Sequence, residues 1–310
     1  MAQVATEPVA VSRACRVRRV CRTMVAGWAS DRAVLSRDTL LVLIFFCLCA
    51  LVELPIWTPH MRQIPLQRLT FENGTTVVLT ELLLDNHYVQ KDEQIVTTPL
   101  LVALCVVVPL GALAIVSWFD MKPSDVASFL RGFLMAFGCM LLTTNLIKLY
   151  VGYFRPYFYE QCDLDRTTGE CLKPSTDGRK SFPSGHSSSS FCAMLFTSLF
   201  LLGKVAQMPS KTLNTPLGAV KCTNALILLA LSPVMLAFWI AASRVRENDH
   251  HPADVVTGAC IGSAWAVLWY VRYFTALWED RQEESSECSV TIETTSRVAS
   301  GDEDLPITSA

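Results

Sequence analysis

Charge is scarce in this chain of 310 residues: only 17% are Asp, Glu, Lys or Arg, whereas 51% are hydrophobic. Water-soluble domains carry about 25% charged residues. The shortage argues against a disordered chain and against a purely water-soluble enzyme. An excess of positive charge is also missing. The formal net charge is −2, so no global field gathers nucleic acid. Among the 12 cysteines there is no Cys-x-x-Cys pair to suggest zinc, and no cluster of carboxylates suited to Mg²⁺ is visible. Most cysteines lie inside apolar runs, as Cys47, Cys49, Cys105, Cys139, Cys192 and Cys260 do. There they act as small apolar side chains and not as a disulfide framework.

What the chain has is apolar sequence in long runs. A membrane helix needs ~20 mostly apolar residues. Six stretches qualify: Thr39–Trp57, Thr98–Phe119, Val126–Ile147, Ser187–Val205, Cys222–Ala242 and Val255–Leu277. The fourth is the weakest, because it opens with a run of serines, which a helical bundle tolerates when hydroxyls bond to backbone carbonyls. The expected fold is therefore all-α, a six-transmembrane-helix bundle over residues 39–277. A basic cytosolic arm, residues 1–38, precedes it with seven Arg against three acids. An acidic tail, residues 278–310, follows it, rich in Glu, Ser and Thr and without apolar periodicity, and reads as disordered. The first apolar run starts near residue 39 and is too long for the core of a secretory signal. It reads as a signal anchor, with cleavage after a small residue as the alternative. Glu53, near the outer end of this run, is a functional candidate by position, and simple hydration is its plainer explanation.

Loop charge sets orientation. The Arg-rich arm and the fourth loop, with Lys204, Lys211 and Lys221 and no acid, should both be cytosolic. The second loop, with Asp120, Lys122 and Asp125, is neutral and casts no vote. Pro59–Thr97, Lys148–His186 and Ser243–Asp254 then face the opposite, extracellular or lumenal side. Two cues agree with that side. Asn73-Gly74-Thr75 is a glycosylation sequon in the first outer segment. Cys162 and Cys171 lie in the second, where an oxidising compartment would let them pair, and two free thiols are the alternative. The membrane itself, plasma membrane or endomembrane, is left open.

Three polar clusters fall at span ends on this one side. Lys148 and Arg155-Pro156 follow the third span. Their spacing, about two helical turns, would put both cations on one helix face, with Arg155 at its frayed end because Pro156 disfavours helix there, and together they suit an anion with several oxygens. Taken alone, two cations snorkelling to headgroups explain them as well. Ser181-Phe-Pro183-Ser184-Gly185-His186-Ser187 opens the fourth span. Ser184 is a plausible N-cap, leaving the amides of Gly185, His186 and Ser187 to face an anion; a plain cap with an interfacial His is the bland alternative. Ser243-Arg244 and His250-His251-Pro252-Ala253-Asp254 join the fifth and sixth spans. Pro252 suits a first helical position, and His250 beside Asp254 is the arrangement of an oriented imidazole. A polar loop in which the two merely pair is the competing explanation. The coincidence of all three clusters on one side carries the argument.

These segments resemble the three signature motifs of the type 2 phosphatidic acid phosphatases, or lipid phosphate phosphatases: Lys-x6-Arg-Pro, Pro-Ser-Gly-His and Ser-Arg-x5-His-x3-Asp. Here they read Lys148…Arg155-Pro156, Pro183-Ser184-Gly185-His186 and Ser243-Arg244…His250…Asp254. The likeness runs from the first span to the sixth and includes Asp92-Glu93-Gln94-Ile95-Val96-Thr97 before the second. One departure is the sequon, which vertebrate relatives usually carry between the first two motifs. The resemblance implies a phosphatase with its active site at the extracytoplasmic ends of helices three to six, working through a phosphohistidine. His250 would be the nucleophile, Asp254 its partner and His186 the proton donor. Lys148, Arg155, Arg244, Ser184 and the Gly185 amide would bind the phosphoryl oxygens. His251, which cannot point at the same phosphate as its neighbour His250, reads as a supporting residue. No cofactor is implied, and three cations would stand where Mg²⁺ acts elsewhere. Expected partners are the bilayer and, as substrates, phosphatidate, lysophosphatidate, and sphingoid-base or ceramide phosphates. No nucleic acid is expected, and a homo-oligomer is compatible with the sequence. The alternatives are a phosphatase of the same fold acting on a polyisoprenyl diphosphate or sugar phosphate, and a non-enzymatic lipid-binding scaffold. The same motifs occur in vanadium haloperoxidases, which would need bound vanadate and which six spans make remote.

Overall fold

The computed structural model describes residues 39–274 apart from 53, 55–56, 75, 121–122, 208–211 and 216–217. The expected arm and tail, with Glu53, Lys122 and Lys211, lie outside the described residues. Chain contacts gather Leu41–Tyr273 into one compact unit, and the features below belong to it.

Among the described residues seven α-helices carry the fold. A short apolar helix, α1 (Thr39–Val52), comes first. Then follow α2 (Thr98–Asp120), α3 (Pro123–Val151), the short α4 (Phe158–Cys162), α5 (Gly185–Gln207) and α6 (Cys222–Arg246), and finally α7 (Pro252–Phe274). Five of them, α2, α3, α5, α6 and α7, are long and apolar enough to cross a membrane. Among the described residues α1 is shorter than a span, so five described helices reach spanning length where the sequence predicts six. α2 and α6 hold Pro109 and Pro233 inside their apolar runs. A membrane bundle accepts such prolines because neighbours satisfy the freed carbonyls. Exposed apolar side chains such as Val107, Ile115, Leu228, Met235 and Leu268 cover the outside of these helices, as a lipid-facing surface requires.

The serine-rich α5 is the most buried of the spans and packs on α2, α3 and α6. Ser187, Ser188, Ser189 and Ser190 are all buried, and their hydroxyls find partners. Ser187 Oγ donates to the Val255 carbonyl (2.7 Å) and Ser190 Oγ to the Ser187 carbonyl (3.1 Å). Thr144 Oγ1 donates to Ser188 Oγ (3.1 Å), which joins α3 to α5. The serines weaken the sequence signal because they face protein and not lipid. They also let α7 come close: a methyl group at Gly262 would stand 2.2 Å from the Ser188 carbonyl oxygen, and one at Gly258 2.5 Å from that of Ser184. Small residues on both helices thus allow near backbone contact, the usual basis of helix packing in lipid.

At one end of the bundle Lys204, in the last turn of α5, pairs with Asp125, in the first turn of α3, at 2.5 Å. Each charge complements its helix terminus. The opposite end carries an outer layer. Strands β1 (Leu66–Thr70) and β2 (Thr76–Thr80) form an antiparallel hairpin, with Leu66 opposite Thr80, and Asn73 is exposed at its turn. Two-residue strands β3 (Leu164–Asp165) and β4 (Glu170–Cys171) form a second hairpin, next to which Cys162 and Cys171 are joined in a disulfide. Arg68 Nη2 donates to the Thr168 carbonyl (2.7 Å), linking the two hairpins. At the other pole a third hairpin, β5 (Thr212–Thr215) with β6 (Gly218–Lys221), connects α5 to α6.

Candidate active site

The ends of α3, α5, α6 and α7 under the outer layer collect the polar residues. Lys148 lies in the last turn of α3. The helix stops three residues later, because Gly152 takes a left-handed φ of 59° and its amide donates back to the Lys148 carbonyl (3.2 Å). This corrects the expectation that Lys148 and Arg155 share a helix face: Arg155 stands beyond the helix, in a turn fixed by its own amide bonding to the Gly178 carbonyl (2.8 Å). The His60 carbonyl oxygen sits only 2.0 Å from where a Cβ on Gly152 would be, so no other residue fits this bend without moving the chain. Lys148 Nζ donates to the Lys180 carbonyl (2.9 Å).

Ser184 caps α5 as expected, its Oγ accepting from the Ser187 amide at 3.4 Å. That bond takes up one of the three amides the sequence left unpaired. Gly185 and His186 keep first-turn amides with no intrahelical acceptor. A methyl group on Gly185 would lie 3.6 Å from Lys148 Cε and 3.9 Å from Nζ, so the first two motifs abut. His186 Nε2 is buried and makes no hydrogen bond.

The third motif closes the ring. Pro252 begins α7, and Asp254 in the first turn accepts the His251 amide on Oδ2 (3.1 Å). This is the return arm of a capping box. The same Oδ2 accepts Ser181 Oγ–H (2.5 Å) and lies 3.7 Å from His250 Nδ1. Ser181 Oγ itself stands 3.5 Å from that nitrogen. The imidazole is thus held by a carboxylate and a hydroxyl together. His251 turns away, its Nε2 meeting the Phe154 carbonyl (3.1 Å), so it tethers the loop to the first motif. Arg244 is fully buried. Ser243 Oγ accepts from its Nε (3.1 Å) and Nη2 (3.0 Å), Gln94 Oε1 from its Nη1 (3.1 Å), and Glu247 pairs with it at 2.6 Å. Glu247 in turn accepts the Ile95 amide, so the segment before α2 positions this cation.

The sequence did not single out Asp249. Its Oδ1 accepts Arg155 Nη1 (2.5 Å) and Tyr157 OH (3.2 Å). Its Oδ2 lies 3.6 Å from His250 Nε2 and 3.8 Å from Arg244 Nη1. Asp177 adds a second carboxylate 3.6 Å from Arg155. A buried ion network of this kind holds only because nearly every charge has a partner. Burial alone would raise the Asp249 carboxyl, but Arg155, Arg244 and His186 outweigh it and hold it below the ordinary range. Burial pushes His250 well below its usual value, and the Arg155 and Lys148 cations push the same way against Asp254. His250 is therefore a neutral imidazole at neutral pH. Nδ1 faces Asp254, and Nε2 faces the Asp249 carboxylate at 3.6 Å, inside the network that Arg155 and Arg244 complete.

The fold and this centre define a multi-pass helical membrane protein with a buried cluster of cations and imidazoles at one end of its bundle. A family model described as the PAP2 superfamily matches residues 128–278. Lipid phosphate phosphatase 2 of Arabidopsis thaliana is 30% identical over 207 residues, 63% of this chain and 67% of that protein. A Schizosaccharomyces pombe protein named "Probable diacylglycerol pyrophosphate phosphatase 1" is 32% identical over 149 residues, 44% of this chain and 50% of its own. Phospholipid phosphatase 1 of Rattus norvegicus is 29% identical over 170 residues, 50% and 56% of the two chains. The matched region spans only about half the length of several of these curated relatives. No solved structure matches. The chain belongs to the PAP2/lipid phosphate phosphatase family.

Proposed function

We propose that the protein is a membrane phosphohydrolase that removes phosphate from lipid phosphates, phosphatidate and its relatives first among them. The observation that carries this reading is the placement of His250: Nδ1 faces Asp254 while Nε2 faces the Arg155, Arg244 and Asp249 cluster. In this mechanism Nε2 attacks phosphorus, the N–P bond forms and the P–O bond to the lipid breaks. The leaving alkoxide takes a proton from His186, whose buried Nε2 otherwise lacks a partner. Asp254, steadied by Ser181, stabilises the imidazolium character that develops on His250. Water then attacks the phosphohistidine while His186 takes back a proton from it; the P–O bond forms, the N–P bond to His250 breaks, and inorganic phosphate leaves.

Phosphoryl transfer depends mainly on positioning and charge stabilisation. Lys148, Arg155, Arg244, Ser184 and the Gly185 amide are the groups for the phosphoryl oxygens, and no metal is required in this scheme. A centre at the end of a membrane bundle suits a substrate whose chains stay in lipid while its headgroup enters. The disulfide and the exposed Asn73 belong to the same outer layer, which favours an extracellular or lumenal site and cytosolic termini.

The test is phosphate release by purified protein in mixed micelles containing phosphatidate, lysophosphatidate, ceramide phosphate, a polyisoprenyl diphosphate or a sugar phosphate, with and without EDTA. Release from phosphatidate that survives EDTA is the expected result. No release from any substrate would leave only a lipid-binding protein, and activity restored by Mg²⁺ would remove the metal-free scheme.

A further inference from the structure

Asp249 stands where a phosphoryl group would have to go. Its oxygens take contacts that phosphoryl oxygens need: Arg155 and Tyr157 on Oδ1, and Arg244 at 3.8 Å from Oδ2, which also stands 3.6 Å from His250 Nε2, the proposed attacking atom. The carboxylate is 5% exposed, so it cannot be dismissed as a solvated bystander. A dianionic phosphate and this carboxylate cannot share those donors, since like charges about 4 Å apart repel by several kcal/mol near a protein surface.

We infer that Asp249 is a resident anion that excludes free inorganic phosphate and yields its place only to a phosphate carried by a lipid. The inference rests on the proposed phosphatase reading. Between turnovers the carboxylate keeps Arg155 and Arg244 paired. When a lipid phosphate arrives, apolar contacts of its chains with the bundle supply the free energy to swing Asp249 away from Arg155. Inorganic phosphate has no chains and cannot do so. The centre therefore releases its product readily and resists inhibition by phosphate in the surroundings. Asp249 is in this sense a specificity residue.

The experiment measures equilibrium binding of radiolabelled inorganic phosphate to the purified full-length chain as wild type, Asp249→Asn and Asp249→Glu. Removal of the charge should tighten phosphate binding at least about tenfold, a difference of about 1.4 kcal/mol, whereas the Glu variant should stay weak. Unchanged or weaker binding by Asp249→Asn would overturn the inference, because a carboxylate that merely scaffolds Arg155 would show that outcome. A second measurement uses the wild type alone: a structure with bound orthovanadate should show Asp249 away from Arg155, and an intact Arg155–Asp249 pair beside the ion would also overturn it. If the wild type releases phosphate from lipid while Asp249→Asn binds phosphate no better, only this inference falls. If the wild type neither binds nor releases phosphate, the functional reading falls with it.

Discussion

Ser184 donates its backbone amide to the carbonyl oxygen of Asp254 across 2.9 Å. The bond ties the start of α5 to the first turn of α7. The helix end that abuts Lys148 and the carboxylate that faces His250 therefore cannot drift apart. It is a backbone bond, so side-chain variants in the centre leave it in place and probe chemistry rather than assembly.

Replacing His250 with Ala should reduce phosphate release to background while membrane insertion is retained. His186→Ala should slow release by about 10²–10⁴-fold, the usual contribution of a positioned acid. The loss should shrink for an aryl phosphate, whose leaving group needs no proton. Steady-state rates on a lipid and an aryl substrate check this, and equal losses on both would assign His186 to binding instead.

Ser181→Ala removes the hydroxyl that donates to Asp254 and stands beside His250 Nδ1. Loss of a buried hydrogen bond costs about 1–3 kcal/mol, so kcat should fall about tenfold or more with little change in KM. A rise in KM at constant kcat would place Ser181 in substrate binding.

Gly262→Ala should lower thermal stability in detergent, because its methyl group would meet the Ser188 carbonyl oxygen at 2.2 Å and force α7 from α5. Overpacking of this kind costs about 1–3 kcal/mol. Gly111→Ala, where nothing lies within 4 Å, is the control. Equal melting temperatures for the two variants would contradict the close crossing.

Stability should rise with pH from acid toward neutrality. His250 is buried neutral with its pKa depressed. The unfolded chain, with its imidazole near ~6.5, therefore binds the extra proton, and stability is lost as pH falls below that value. Asp249 and Asp177 are also held below the ordinary carboxylate range, against the upward push of burial, by Arg155 among other cations. Their contribution is complete above ~3.9 and is lost as pH falls through the folded values. Melting temperatures across acid pH check the sign. Greater stability at pH ~5 than at pH ~7 would contradict a neutral buried His250.

The apolar runs and the three motif spacings were legible because each is local: a span needs only length and composition, and a motif only its residues. What escaped was set by tertiary contact. Lys148 and Arg155 look like helix neighbours until Gly152, pressed by the His60 carbonyl, ends the helix between them. Asp249 sits next to His250 in the chain, yet only the folded turn after α3 brings Arg155 and Tyr157 to it. Gln94 reaches Arg244 from a segment far away in sequence, and Glu247, three residues after Arg244, is held to that same segment by the Ile95 amide. The serines of α5 weakened its signal as a span because hydropathy cannot tell a hydroxyl facing lipid from one facing the Val255 carbonyl.

That last helix has a consequence for how the chain is made. α5 carries a run of serines ill suited to lie in hydrocarbon unaccompanied, and α7, which covers them through Gly258 and Gly262, is synthesised two helices later. A chain cut before Pro252 would leave Ser187 without the carbonyl it donates to and would expose polar groups to acyl chains. Truncation there should cost membrane integration as well as turnover.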